Sequence, residues 1–203
     1  MKKPNIMHLS TFVFTFLTFF SCSNEDLSSP EVMKNDLETL SGTYQDLEPY
    51  VYGNAFGQRI FTFENGHWTL EFTLGLDPTL EKQVFQFRTY GSYTIEEAST
   101  LVENAYHAAF GEDKKFVTLK TDDPQMIAAF GFADCGLTPF VEKDISASGC
   151  ASWKSVSACP VDYDLLSLDE DGLLYFGQRP ADNDMCSADK RPTSLTPPVT
   201  KVQ

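Results

Sequence analysis

Histidine is scarce in this 203-residue chain: three residues, of which only His67 and His107 lie outside the N-terminal apolar segment. The five cysteines form no C-x-x-C pair, and with so few imidazoles this speaks against a zinc site, which needs four closely grouped Cys or His ligands. Basic residues are also few. Fifteen Lys and Arg stand against 29 Asp and Glu, a net charge of −14, the wrong sign for a surface that must neutralise nucleic-acid phosphates. No G-x-S-x-G elbow, H-E-x-x-H pair or phosphate-binding glycine loop occurs. The longest apolar run, residues 9–20, is about 12 residues, too short to cross a bilayer as a helix.

What is present begins with that run. Lys2 and Lys3 precede it and Ser21-Cys22 follow it, the order of charged, apolar and small-residue regions in an export signal. The small residue before cysteine resembles a bacterial lipobox, with Phe19 departing from its usual small or aliphatic residue. The expectation is a lipoprotein signal over residues 1–21, lipidation at Cys22, an acidic flexible tether over 22–37 and one domain over 38–203. Several acyl chains on Cys22 would anchor stably, at about 0.8 kcal/mol per buried methylene. Ser23, where inner-membrane lipoproteins usually carry Asp, points to the outer membrane. The competing reading is an ordinary secretory signal with a buried cysteine. Without Lys2 and Lys3 the mature chain is more acidic still, which favours solubility.

With Cys22 assigned to lipid, Cys135, Cys150, Cys159 and Cys186 remain, an even number in an exported chain and thus two disulfides. Three pairings are possible in principle. Cys135 with Cys150 and Cys159 with Cys186 is favoured, because the short segment between the first two must fold back. Closing that loop of about 15 residues contributes roughly 3 kcal/mol in the chain-entropy view.

The stretch FTFENGHWTLEFTL, residues 61–74, predicts a hairpin about a type I′ turn at Asn65-Gly66, with Glu64 opposite His67, Phe63 opposite Trp68 and Phe61 opposite Leu70. Phe61, Phe63, Trp68, Leu70, Phe72 and Leu74 then share one face. Covering those six side chains is worth on the order of 10 kcal/mol. Residues 84–95 form a further aromatic strand, with Phe85 and Phe87 on one face and Gly91 at a bend. Residues 96–111 carry helical spacing at Ala98, Leu101, Val102, Ala105 and Ala109, with an irregular insertion as the alternative. Residues 115–121 read as a strand, and a short helix follows Asp123 as N-cap with Pro124 at its first position. A second hairpin flanks DEDG at residues 169–172. About eight strands and one or two short helices make the fold mainly β, an antiparallel β-barrel or half-barrel whose closure hides strand edges and apolar faces. Such an interior is either filled by its own side chains or holds a ligand.

The C-terminal half carries a more specific pattern: KKFVTLKTDDPQMIAAFGFADCGL, VEKDISASGC, and a strand ending in Gly177-Gln178-Arg179-Pro180 followed by Lys190-Arg191-Pro192-Thr193-Ser194. Over about residues 114–199 this resembles the domain of the adenomatosis polyposis coli down-regulated protein family. The resemblance implies a secreted or membrane-tethered open or half-closed β-barrel with an apolar cavity that engages lipid or an acyl group on a protein. It also supports pairing Cys135 with Cys150. Animal members are Wnt antagonists with two copies of the domain and a membrane helix. This chain has one copy and an expected lipid anchor, so signalling antagonism is not carried over. A weaker likeness links Gly42-Thr43-Tyr44 to the opening motif of lipocalins. It implies that Arg179 packs over Tyr44, worth about 0.5 to 2 kcal/mol, the other reading being that Arg179 pairs with a neighbouring acid.

The expected function is non-catalytic binding of a lipid or other hydrophobic small molecule in a cavity lined by Phe61, Phe63, Trp68, Leu70, Phe72, Phe85 and Phe87, without cofactor or metal. The plainer reading makes these residues ordinary core, and a void of several hundred Å3 separates the two. A second class is a protein- or glycan-binding surface module, with Trp153 and the loop 151–158 exposed. A third is an enzyme of unknown class. Its materials are Glu103 and His107 four apart on the expected helix, equally a solvated pair, and the carboxylates Asp169, Glu170 and Asp171, equally a solvated turn. Asp182-Asn183-Asp184 offers calcium ligands but lacks the Gly and distal Glu of an EF-hand.

Overall fold

A computed structural model describes residues 30–202; the export signal, Cys22, Ser23 and the first part of the expected tether lie outside the described residues. In chain order the elements are α1 (Pro30–Glu38), β1 (Gly42–Gln45), β2 (Tyr50–Tyr52), β3 (Ala55–Glu64), β4 (His67–Gly75), β5 (Gln83–Ala98), β6 (Tyr106–Gly111), β7 (Lys114–Leu119), α2 (Pro124–Ala129), β8 (Lys143–Asp144), β9 (Val161–Leu168), β10 (Leu174–Phe176) and β11 (Thr200–Val202). All pairings are antiparallel, in the order β10-β9-β6-β5-β4-β3-β1-β11. The ends of that series meet. Val199, just before β11, exchanges backbone hydrogen bonds of 2.8 and 3.0 Å with Leu174 of β10, so the sheet nearly closes into a barrel and leaves few unpaired edge groups.

The first hairpin has the expected register, Glu64 with His67, Phe63 with Trp68 and Phe61 with Leu70. Its turn needs two left-handed residues, which Asn65 and Gly66 provide at φ 51° and 76°. β5 is the longest strand, and it changes partners at Gly91. Phe85 to Tyr90 pair with β7, whereas Tyr93 to Ala98 pair with β6. A Cβ at Gly91 would collide with the Gly111 carbonyl, so only glycine lets the two branches separate there. Asp123 caps α2 by accepting the Gln125 and Met126 N–H groups, with Pro124 at the first position. Both favoured disulfides form, Cys135–Cys150 and Cys159–Cys186.

Two expectations are corrected. Residues 96–111 are not helical. β5 runs on to Ala98, Ser99 Oγ accepts the Leu101 and Val102 N–H groups in a turn, and β6 follows. A period of two fits the segment instead: Tyr106, Ala108 and Phe110 are buried, and Ala109, one of the expected helical positions, falls on the other face. Pairing with β5 on one side and β9 on the other outweighs the local helical preference. The second correction concerns the tether, because residues 30–37 belong to α1. Its Leu37 is fully buried and, with Leu40 and the partly buried Met33, packs into the barrel core, while Tyr93 Oη donates to the Leu37 carbonyl at 3.1 Å.

The core lies in two clusters. One, beneath α1, contains Tyr44, Phe63, Trp68, Tyr93, Phe110, Leu166 and Phe176. The other contains Leu74, Phe85, Phe87, Val117, Leu119 and Phe132. Between them nearly every strand changes character at one level. The inward series passes from Phe61 to Arg59 on β3, from Phe87 to Thr89 on β5, from Phe110 to Glu112 after β6, from Val117 to Lys115 on β7 and from Leu166 to Asp164 and Asp162 on β9. A layer of buried charge thus divides the barrel.

Candidate functional site: an aromatic bowl above a charged layer

An interior cavity of about 100 Å3 lies at that layer, walled by Phe61, Trp68, Leu70, Phe72, Phe87 and Phe110 and lined on its polar side by Arg59, Glu112, Lys115, Asp162, Asp164 and Arg179. Above it, an open bowl of about 490 Å3 is lined by Leu74, Leu76, Phe85, Phe130 and Phe132. Tyr52, Phe72, Ser152, Trp153 and Asn183 line both, so bowl and cavity adjoin across these side chains. The bowl has the size of a small-molecule pocket, whereas the inner cavity, walled by most of the expected lining residues, falls short of several hundred Å3.

Five of the seven expected lining residues, Phe61, Trp68, Leu70, Phe72 and Phe87, wall the inner cavity, and Phe85 lines the bowl. Phe63 does not. It stands two residues farther into the closed end and is 1% exposed between Tyr44 and Tyr93, with ring centroids 5.9 and 5.1 Å away. Trp153 is not a displayed surface residue either: its ring stacks on Phe87 at 4.5 Å, nearly parallel, although the loop around it is exposed. Arg179 takes the acid pairing. Its guanidinium donates to Asp162 at 2.7 Å and to Asn183 at 2.6 Å, while Tyr44 lies in the closed end with the Lys201 ammonium 5.7 Å from its ring. Three residues after Phe176, Arg179 sits at the charged layer, away from the cluster that holds Tyr44.

The enzyme-like constellations resolve into structural roles. With no helix to align them, Glu103 and His107 are not brought together, and His107 Nδ1 lies 3.0 Å from Glu97 instead. Asp169 accepts the Asp171 and Leu173 N–H groups of the β9–β10 turn, as in the solvated-turn reading. Asp184 is bound by Lys154 and Lys190.

The charged layer went unread in the sequence, and it is densely paired. Arg59 donates to both oxygens of Asp46, at 2.6 and 3.1 Å, and to Thr196 at 2.6 Å. Lys115 pairs with Glu112, both 3% exposed. Buried ions are tolerated only when paired in this way. Burial and the nearby Asp162 push the Glu112 carboxyl up against the pull of Lys115. Asp164, 6% exposed, accepts the Leu165 and Gly177 N–H groups through Oδ1, at 2.7 and 3.0 Å. Burial raises its pKa to about 7, with Arg179 pulling the other way. For Arg179, burial works against the charge, but Asp162 and Asp164 outweigh it and hold its pKa above the ordinary value. Strong shifts of this kind in a cleft mark functional sites. Strand parity gives a sequence signal for Arg59, which stands two residues before Phe61, and for Thr89, two after Phe87.

A scan of protein-family models finds no match to this chain, and a search of curated proteins finds none either.

Proposed function

We propose that the domain binds a lipid or other amphipathic small molecule without transforming it, seated in the bowl with one end reaching the inner cavity. The observation that carries this reading is an aromatic bowl adjoining a partly polar cavity in a nearly closed barrel. The inward stacking of Trp153 favours the pocket over a surface module, and the mutual pairing of the charged groups favours binding over turnover. The family resemblance over residues 114–199 points the same way. Cys22 is the proposed lipid attachment, placing the domain in the cell envelope at the outer membrane.

Protein purified without added lipid is expected to carry a co-purifying small molecule, seen as an added mass in native mass spectrometry and recovered by extraction. Trp153→Ala should weaken displacement of a fluorescent fatty-acid or lysolipid probe by about tenfold, the equivalent of about 1.4 kcal/mol. A protein that carries nothing and displaces no probe ends the proposal. Cys22→Ser tests the anchor separately, since it should release the protein from membranes.

A further inference from the structure

We infer that the pocket takes its ligand head first and that the head is cationic, an ammonium on an apolar body that meets the carboxylate of Asp164. This rests on the cavity-binding reading and deepens it. Arg59 is neutralised by Asp46, Lys115 by Glu112 and Arg179 by Asp162, while Lys154 shares Asp184 with Lys190. Asp164 alone among the acids lining the inner cavity has no salt-bridge partner among the described residues. Its Oδ1 accepts two backbone N–H groups and no described residue donates to its Oδ2, although Arg179 is near enough to favour its ionised form. An unpaired carboxylate buried at the wall of a cavity is costly unless a cation or donor arrives to meet it.

The surroundings select the sign of that visitor. The bases at the layer itself, Arg59, Lys115 and Arg179, already have counter-ions, so an anionic head would find no free cation there. Ring faces attract cations, and Phe61, Trp68, Phe87 and Phe110 wall the space. An inner volume of about 100 Å3 suits a head of a few atoms, and the bowl of about 490 Å3 suits the apolar body. The groups that share the layer with Asp164 are Arg59 on β3, Glu112 after β6, Lys115 on β7, Asp162 on β9 and Arg179 after β10. Only Glu112 also has a carboxyl pushed upward.

The test compares dodecylamine, dodecanol and dodecanoate by calorimetric titration of the full chain below their micelle concentrations. Dodecylamine is expected to bind at least about tenfold tighter than dodecanoate near pH 8, and to weaken about tenfold near pH 6 as a carboxyl titrating at about 7 takes up its proton. Asp164→Asn should bring the amine to the affinity of dodecanol. The inference is overturned if dodecanoate binds as well as the amine, or if the preference for amine survives in Asp164→Asn. Should that variant not fold, an amine affinity that does not rise with pH in the unaltered protein overturns it equally. If none of the three chains binds, the pocket reading itself falls; if all bind alike, only the cationic head is lost.

Discussion

At one end of the barrel, Leu37 of α1 and Leu40 just after it pack in one cluster with Phe63, Tyr93 and Leu166, and the rings interlock: Phe61 stacks on Phe176 at 3.8 Å and Trp68 meets Phe110 edge-on at 4.8 Å. At the other end Phe85, Phe87 and Phe132 are just as aromatic, but their cover is Trp153 on a loop beside the Cys135–Cys150 disulfide, and the space above stays open. Composition does not separate a filled core from a pocket here. The cover does, together with the charged layer between the ends, which the apolar side chains of neither side can enter without stranding an ion.

The sharpest way to break the comparison is Phe63→Ala. In the closed end it should cost about 3 to 5 kcal/mol in urea denaturation, since the interlocked rings collapse poorly into a void, while probe binding in the folded protein is unaffected. A loss confined to binding would mean that Phe63 belongs to the pocket after all. Next in size, replacing Cys135 and Cys150 together by serine should cost about 3 kcal/mol and loosen the open end most, read as a larger rise in hydrogen exchange around Phe132 and Trp153 than in α1. Equal loosening at both ends would show that the disulfide is not specific to the open one.

The smallest effect is one of pH and concerns the layer between. Asp164 holds its proton in the folded state up to about pH 7 but loses it in the unfolded chain near the ordinary carboxylate value of about 4. Below both values it contributes nothing. Between them the folded state binds the extra proton, so stability falls as pH rises, and the full deficit is reached above about 7. Between about pH 5 and pH 8 the expected loss is roughly 2 kcal/mol, at about 1.4 per pKa unit and allowing for solvent in the cavity. Asp164→Asn should flatten the curve. Glu112, raised to about 7 in the same direction, titrates over the same range, so the variant should lose the Asp164 share of the slope and keep that of Glu112. A wild-type profile flat over this range would mean that Asp164 is ionised in the folded protein.

The features legible in the sequence were those with local causes. Asn65-Gly66 sets the register of β3 and β4, Asp123-Pro124 starts α2, Gly91 marks the parting of β5, and the fold-back argument found the disulfides. Residues 96–111 failed because Ala98, Ala105 and Ala109 fit a helical spacing while Tyr106, Ala108 and Phe110 fit a period of two, and the partners that decide between them, β5 and β9, include a strand some 60 residues away. The charged layer failed for a different reason. On β9, Asp162 and Asp164 point inward while Tyr163 and Leu165 point outward, where Leu165 is only 1% exposed and the Arg191 guanidinium lies 5.0 Å from the Tyr163 ring. Alternation read alone assigns such a strand the opposite facing. The spacing of Met33, Leu37 and Leu40 was legible as an amphipathic stripe, but acidic neighbours masked it.

The bend at Gly91 reaches beyond topology. One strand runs from Phe85 in the bowl to Ile95 under α1, so its backbone is stitched into both ends at once. The poles therefore share a spine and melt as a single cooperative unit. A small molecule resting only at the rim would tighten amides throughout the domain, those beneath the distant helix included, with no signal passing between them.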